Sequence, residues 1–450
     1  MSTIYKPFLV AILVIMSIGV IAQNEFFEYI KKDDGAFKYS TSKVEVYTQN
    51  KTNIITFDMT SQVWQEIEWQ HKVQIFLPNE PIKKDTAILL NTGGNPSKDN
   101  NQMALVISNI TNMPVILLWN IPNQPLWGKT EDALIAYTLN EAYKSQDYSS
   151  WPLLFAMVKS VVKTMDLVEN YTSENTDFKI DKFIVTGASK RGWTSWLTGA
   201  LKDPRVIGIM PMVFDFLDLN TQLEHQKNYY EVFSDQIEDY TELDLPSLFK
   251  AEDGTKIGNL IDPFTYKDNL DIPILNLIGT NDPYWTIDSS GIYFQKLPSK
   301  NKYMFYAVNG GHDLGLSNGG GLKLSNISGS MLSLASVIKN FVWQCIDLNK
   351  MENIDWIWNE DNGVATCTIK IDPEKVADVI TYEEDAKIKD FRNTEWTVKK
   401  QAKKTNTGYI FQFSAPENGA RAAICEVKIK SEIGGTYSLF TSPYVLGAKK

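Results

Sequence analysis

At 450 residues the chain is long enough for two to three domains and a large hydrophobic core, which excludes a miniprotein held together by disulfides. With 43% hydrophobic, 12% aromatic and 22% charged residues it is not a disordered, collagenous or coiled-coil chain. A formal charge of -10 is the wrong sign for gripping a polyanion, so nucleic acid and anionic membrane surfaces are poor partners.

Residues 1–22 read as a signal peptide. Lys6 precedes an apolar run from Pro7 to Ala22 that is too short to span a membrane, and Val20 and Ala22 are acceptable residues before a cleavage site. No later segment resembles a second apolar span, so the expectation is a secreted, extracellular protein with no membrane span after cleavage. Residues 25 to 85 predict β hairpins, with a strand at Lys72 to Leu77. A strand and helix alternation follows: strands at Ala87 to Leu90, Pro114 to Trp119, Phe183 to Thr186, Val206 to Val213, Ile274 to Ile278 and Tyr303 to Val308, and amphipathic helices at Glu131 to Tyr143 and Trp151 to Val168. Short apolar strands alternating with helices imply a mostly parallel sheet with helices on both faces, an α/β fold. Residues 215–266, rich in acidic and aromatic side chains, interrupt the rhythm as a lid-like insertion. The helix Met331 to Leu348 closes a domain spanning 23–350. Beyond it, 351–450 shows short strands at Ala365 to Ile371, Thr394 to Lys399, Tyr409 to Phe413 and Ala422 to Ile429, a small β-sandwich.

Four glycosylation sequons, at Asn50, Asn109, Asn170 and Asn326, fit an exported glycoprotein. Of three cysteines, Cys367 and Cys425 share the apolar phase of period-two strands, so both point into one β core and a Cys367 to Cys425 disulfide is expected; two buried free thiols are the alternative.

The strand Phe183 to Thr186 runs into Gly187-Ala-Ser-Lys-Arg-Gly192 and then a helix, the context in which a nucleophile elbow lifts a serine above a sheet. Gly187 supplies the tiny neighbour the turn needs, but Arg191 stands where a second glycine is usual, and Gly192 is displaced by one position. A serine nucleophile needs a base, and His312 lies in a glycine-rich loop just after the strand Tyr303 to Val308. The base needs an acid, and Asp282 follows the strand ending at Ile278. Ser189, Asp282 and His312 thus fall in α/β-hydrolase order, each past the carboxyl end of its own strand. Oxyanion donors would be the backbone N–H of Lys190 and the loop containing Gly93 and Gly94, with the Lys190 side chain adding positive charge. Plainer roles stand beside these: Ser189 as a helix cap, Asp282 as a turn residue, Asp215 as a rival acid, and His312 as a structural histidine. His71 and His225 lack metal-ligand spacing, and Asn318-Gly-Gly-Gly321 is not a phosphate loop, so no metal and no cofactor is expected.

Several stretches together resemble the PhoPQ-activated pathogenicity-related family, secreted proteins with an α/β-hydrolase fold related to dipeptidyl peptidase IV. They are Trp64 with Trp69-Gln-His71, Asn91-Thr-Gly-Gly94, Glu131-Asp-Ala-Leu-Ile-Ala-Tyr137, Trp151-Pro152, Met165-Asp166, Gly187-Ala-Ser-Lys-Arg-Gly-Trp-Thr194, Asp203 to Val206 and Asp390-Phe-Arg392. The resemblance covers most of residues 60 to 400 and implies that the displaced glycine belongs to the family's own pattern. Within the family, secretion, length and composition suggest an autocrine signal that represses cell proliferation and repels cells through a cell-surface receptor. The alternative is a secreted serine hydrolase acting on peptides, or on esters, since the shifted glycine also resembles glucuronoyl esterases. An inert adhesive or carrier module is the third reading.

Overall fold

The computed structural model describes residues 25–47, 52–316, 329–399 and 401–447. The signal peptide expected at 1–22, the sequons at Asn50 and Asn326 and the glycine run at 318–321 lie outside the described residues. The first described residues, 25–31, form a helix (α1) where hairpins were expected, because Phe26 is drawn into the core and packs on Phe155 and Tyr266 at 5.0 and 5.2 Å between ring centres. The hairpins follow as β1 (Lys38–Tyr47), β2 (Thr52–Trp64) and β3 (Ile67–Leu77), paired antiparallel in sequence.

The alternating region contains β4 (Thr86–Asn91), α2 (Lys98–Thr111), β5 (Val115–Leu118), α3 (Glu131–Ser145), α4 (Leu153–Asn175), β6 (Lys182–Ala188), α5 (Lys190–Gly199) and β7 (Val206–Met212). The segment 215–266 then folds into the short helices α6 (Leu219–Tyr230), α7 (Glu238–Thr241), α8 (Leu245–Leu248) and α9 (Thr255–Ile261). It is followed by β8 (Ile274–Gly279), α10 (Ser290–Tyr293), β9 (Lys302–Ala307) and α11 (Gly329–Cys345). One sheet takes in all nine strands in the order β1-β2-β3-β5-β4-β6-β7-β8-β9, and from β5 onward neighbouring strands run parallel. Strands β4, β5 and β8 are buried at every position, which is why their sequences are apolar runs without alternation. Helices cover both faces, α2 packing with α11 and α3 and α5 packing on α4. This is the α/β-hydrolase class of fold. Parallel strands share one direction, so the loops after β4, β6, β8 and β9 gather at a single edge of the sheet.

The last quarter forms two antiparallel sheets, ordered β10-β11-β15-β14 and β13-β12-β16-β17, with β18 beside β16. Their ranges are β10 Asp355–Asp361, β11 Val364–Lys370, β12 Val376–Ala386, β13 Thr397–Val398, β14 Lys403–Thr405, β15 Gly408–Ser414, β16 Ala420–Lys430, β17 Thr436–Phe440 and β18 Tyr444–Gly447. The strand expected over Thr394 to Lys399 shrinks to the two residues of β13, because Thr394 and Trp396 spend their backbone groups on loops of the large sheet. Strand β17 packs on β9 and α11, with the Phe440 ring edge-on to Phe305 at 5.5 Å.

The expected disulfide is corrected. Cys367 on β11 and Cys425 on β16 are fully buried, as the alternation predicts, but they belong to different sheets and all three cysteines are free thiols. Cys425 Sγ lies 3.9 Å from the Glu426 carbonyl, and burial pushes both thiols up, so each behaves as a small apolar side chain in a packed core.

Candidate active site

The turn between β6 and α5 places Ser189 at φ 59 and ψ -126, a backbone conformation that costs a non-glycine residue of order 1–3 kcal/mol and persists only when its surroundings enforce it. The surroundings here are tight. A Cβ on Gly187 would come within 2.5 Å of Asn91 Nδ2 and 2.6 Å of the Arg191 carbonyl, and one on Gly192 within 2.7 Å of the Met212 carbonyl. The displaced glycine therefore serves the packing of α5 onto β7, and position 191 is free to carry a long side chain. Ser189 makes no capping bond to α5, so the helix-cap role does not account for it. As the first residue of α5, Lys190 has a backbone N–H without an acceptor inside the helix.

The elbow is clamped by charge. Arg191 donates through Nη1 and Nη2 to Glu131 at 2.7 Å each and through Nε to the Ile121 carbonyl at 2.5 Å. Its guanidinium crosses Gly93 so closely that any side chain there would overlap it. The Lys190 side chain, expected to offer its charge to an oxyanion, is buried instead between Glu131 and Asp132, 2.9 Å from each. Burial alone would raise the pKa of Glu131, but the hydrogen bonds and charge of Arg191, with the charge of Lys190, outweigh it and hold the carboxyl at about 2. Asn91, at the end of β4, ties this side together by donating to the Thr186 carbonyl at 2.7 Å and to Ser195 Oγ at 3.1 Å.

Asp282 and His312 meet across the loops after β8 and β9. Asp282 Oδ2 lies 2.8 Å from His312 Nδ1, while Oδ1 accepts the Tyr284 N–H at 2.9 Å, so the turn role and the pairing role coexist in one carboxylate. The opposite ring nitrogen, His312 Nε2, is buried with no hydrogen-bond partner among the described residues. Tyr284 stacks on the His312 ring at 4.2 Å and also lines the pocket that contains Ser189. The rival acid Asp215 is buried at the end of β7 and accepts from Tyr293 Oη at 2.5 Å, while the carboxylate hydrogen-bonded to His312 is that of Asp282. Burial, with the charge of Asp282 added, pushes it up to about 7.

A feature invisible in the sequence is what holds the acid and base loops. Asn281 Nδ2 donates to the Thr394 carbonyl at 2.7 Å, and Asn309 Oδ1 accepts the Trp396 N–H at 2.7 Å. Arg392 Nη1 reaches Ser234 Oγ at 3.2 Å and the Pro283 carbonyl at 3.5 Å, its guanidinium lying 4.0 Å above the Tyr230 ring. Both chain neighbours of Asp282 are thus touched by residues 392–394. The other histidines are occupied: His71 is buried between Ser61 Oγ and the Trp119 carbonyl, its pKa lowered by burial to about 4, and His225 pairs with Asp288 at 2.8 Å. The sequons Asn109 and Asn170 are exposed on α2 and α4. Among the described residues no helix is long and apolar enough to cross a membrane.

The sequence pattern of the PhoPQ-activated pathogenicity-related protein family matches residues 26–392. The chain is 26% identical to autocrine proliferation repressor protein A of Dictyostelium discoideum over 474 aligned positions, covering 96% of this chain and 92% of that protein. Solved structures similar to it include acetyl xylan esterase 1 from Thermoanaerobacterium sp. JW/SL YS485, with a TM-score of 0.47, 15% identity and coverage of 71% of this chain and 92% of the other. A glucuronoyl esterase from Solibacter usitatus aligns with a TM-score of 0.39 and 10% identity over 72% of this chain and 92% of the other.

Proposed function

The chain belongs to the PhoPQ-activated pathogenicity-related protein family, and from that premise we propose that it is a serine hydrolase cleaving ester or amide bonds through an acyl-enzyme. The observation that carries this reading is the 2.8 Å pairing of His312 Nδ1 with Asp282, which leaves Nε2 buried and unpartnered one aromatic ring from the Ser189 pocket. Ser189 Oγ attacks the substrate carbonyl carbon and its proton passes to His312 Nε2, while Asp282 holds the Nδ1–H and stabilises the imidazolium. The negative charge gathering on the carbonyl oxygen is met by the backbone N–H of Lys190 and by the Gly93 and Gly94 loop. The imidazolium then protonates the leaving alcohol or amine as its bond to the acyl carbon breaks. Water repeats the sequence, giving its proton to His312 and its oxygen to the acyl carbon, and Ser189 recovers the proton as the acid departs.

The test is fluorophosphonate labelling of the purified protein beside Ser189→Ala. Labelling that disappears in the variant supports the reading, and equal labelling of both forms, or of neither, overturns it.

A second reading is favoured by the 26% identity to an autocrine proliferation repressor over nearly the whole chain. On it the protein is exported after cleavage at Ala22, carries glycans at Asn109 and Asn170, and restrains proliferation outside the cell through a cell-surface receptor. Purified wild type and Ser189→Ala added to growing cells separate the readings. Loss of growth repression in the variant makes hydrolysis the means of signalling, whereas equal repression by both makes the fold itself the receptor ligand.

A further inference from the structure

The pocket that holds Ser189 is small and almost free of polar surface. Its walls come mainly from β7's exit and the 215–266 segment, with Trp193, Phe214, Phe216, Leu223, Phe249 and Trp285 supplying aromatic and aliphatic surface. The cavity measures about 50 Å³. A water needs about 10–15 Å³ of such space, so the pocket has room for about four non-hydrogen atoms. The walls are rigid: Trp193 stacks on Phe214 at 4.9 Å with its Nε1 donating to the Ile261 carbonyl, and Trp285 packs on Phe216 at 4.9 Å with its Nε1 donating to the Val213 carbonyl.

The charges on the rim are already spent. Lys190 Nζ sits 2.9 Å from Asp132, and Asp132 also accepts from Tyr240 Oη at 3.0 Å. A charged substituent entering the cavity would lose water and find no free counter-charge, which disfavours it strongly.

Building on the hydrolase reading, we infer that this cavity is an acyl pocket for short, neutral, unbranched acyl groups of two to four carbons, and that the preferred substrates are short-chain esters. Its apolar walls reward each methylene up to the volume limit, beyond which a longer chain must displace packed aromatic rings. Phe216 and Trp285 set that limit.

The purified protein is assayed with p-nitrophenyl acetate, butyrate, octanoate and hemisuccinate, in wild type, Ser189→Ala, Phe216→Ala and Trp285→Ala. The expected result is Ser189-dependent hydrolysis with kcat/KM for butyrate at least about tenfold above octanoate and about a hundredfold above hemisuccinate. In Phe216→Ala or Trp285→Ala the butyrate-to-octanoate ratio should fall by about tenfold. Two variants are used because either wall alone can be required for folding; circular dichroism and retained labelling identify the variant whose ratio is read. Ser189-dependent turnover that is indifferent to chain length, or highest for octanoate or hemisuccinate, overturns the pocket and leaves the hydrolase reading standing. No Ser189-dependent turnover of any ester, in a protein that a fluorophosphonate still labels at Ser189, likewise overturns the pocket alone. Absence of both turnover and labelling removes the hydrolase reading and this inference together.

Discussion

Around Ser189 the chain is fixed mainly by a charged cluster, whereas around Asp282 and His312 it is fixed mainly by two neutral amides, with Arg392 beside them. On the first side Glu131 and Asp132 bind Lys190 and Arg191 in a half-buried cluster, where the hydrogen bonds and charge of Arg191, with the charge of Lys190, outweigh burial and hold Glu131 at about 2. On the second side Asn281 and Asn309 bond to the backbone at Thr394 and Trp396, and the buried carboxyl nearby, Asp215, has no cation and is driven up to about 7. The two sides therefore answer to different disturbances. Acid and substitution of Glu131 or Asp132 strike the elbow, while loosening of the C-terminal sheets strikes the acid and base.

The largest effect should come from Asp282→Asn, which keeps the size of the side chain but disturbs the tautomer of His312. The rate of fluorophosphonate labelling should drop about 10⁴-fold with thermal unfolding little changed, and a drop of less than tenfold would remove Asp282 from the pair. Next, Glu131→Ala leaves the Arg191 guanidinium without its carboxylate. Breaking a buried pair costs about 3–5 kcal/mol, and because Glu131 is 41% exposed the expected loss is about 2–3 kcal/mol in urea unfolding. Asn281→Ala removes two short hydrogen bonds, one donated to the Thr394 carbonyl and one accepted from Thr280 Oγ1, so stability should fall by about 2 kcal/mol. Labelling should nonetheless slow by about tenfold with a shifted pH profile, because the acid loses its brace. A stability loss without that slowing would mean that residues 390–397 merely dock.

The two sides also differ in the sign of their pH dependence. Glu131 titrates below its ordinary range when folded, so its contribution is complete above about pH 4.5 and is lost as pH falls toward 2. Asp215 titrates above its ordinary range, so its burial begins to cost stability as pH rises past about 4, with the cost complete only above 7. Urea midpoints from pH 2 to 8 should therefore lose part of their acid slope in Glu131→Gln and part of their decline toward neutrality in Asp215→Asn.

The large sheet was legible because parallel strands buried on both faces must be apolar runs, and β4, β5 and β8 are. The elbow was legible for a local reason, a strand, a strained turn and a helix within a dozen residues, and His312 stood out because histidines are scarce. Strands β10 and β12 escaped notice because solvent-facing charges, such as Glu360 and Asp385, break up their apolar pattern. The clamp on Ser189 escaped for another reason: Glu131 and Arg191 are 60 residues apart, and nothing in their spacing says that they meet. The Asn281 to Thr394 contact spans 113 residues and is equally silent in the sequence. The disulfide failed because a shared inward phase puts two cysteines into one core without putting them within bonding reach.

Peptide mapping by mass spectrometry after fluorophosphonate treatment tests whether Ser189, Asp282 and His312 act as one unit. The expected result is a single adduct on Ser189, abolished in His312→Gln while that variant stays folded. An adduct on another serine, or undiminished labelling of Ser189 in His312→Gln, would contradict it.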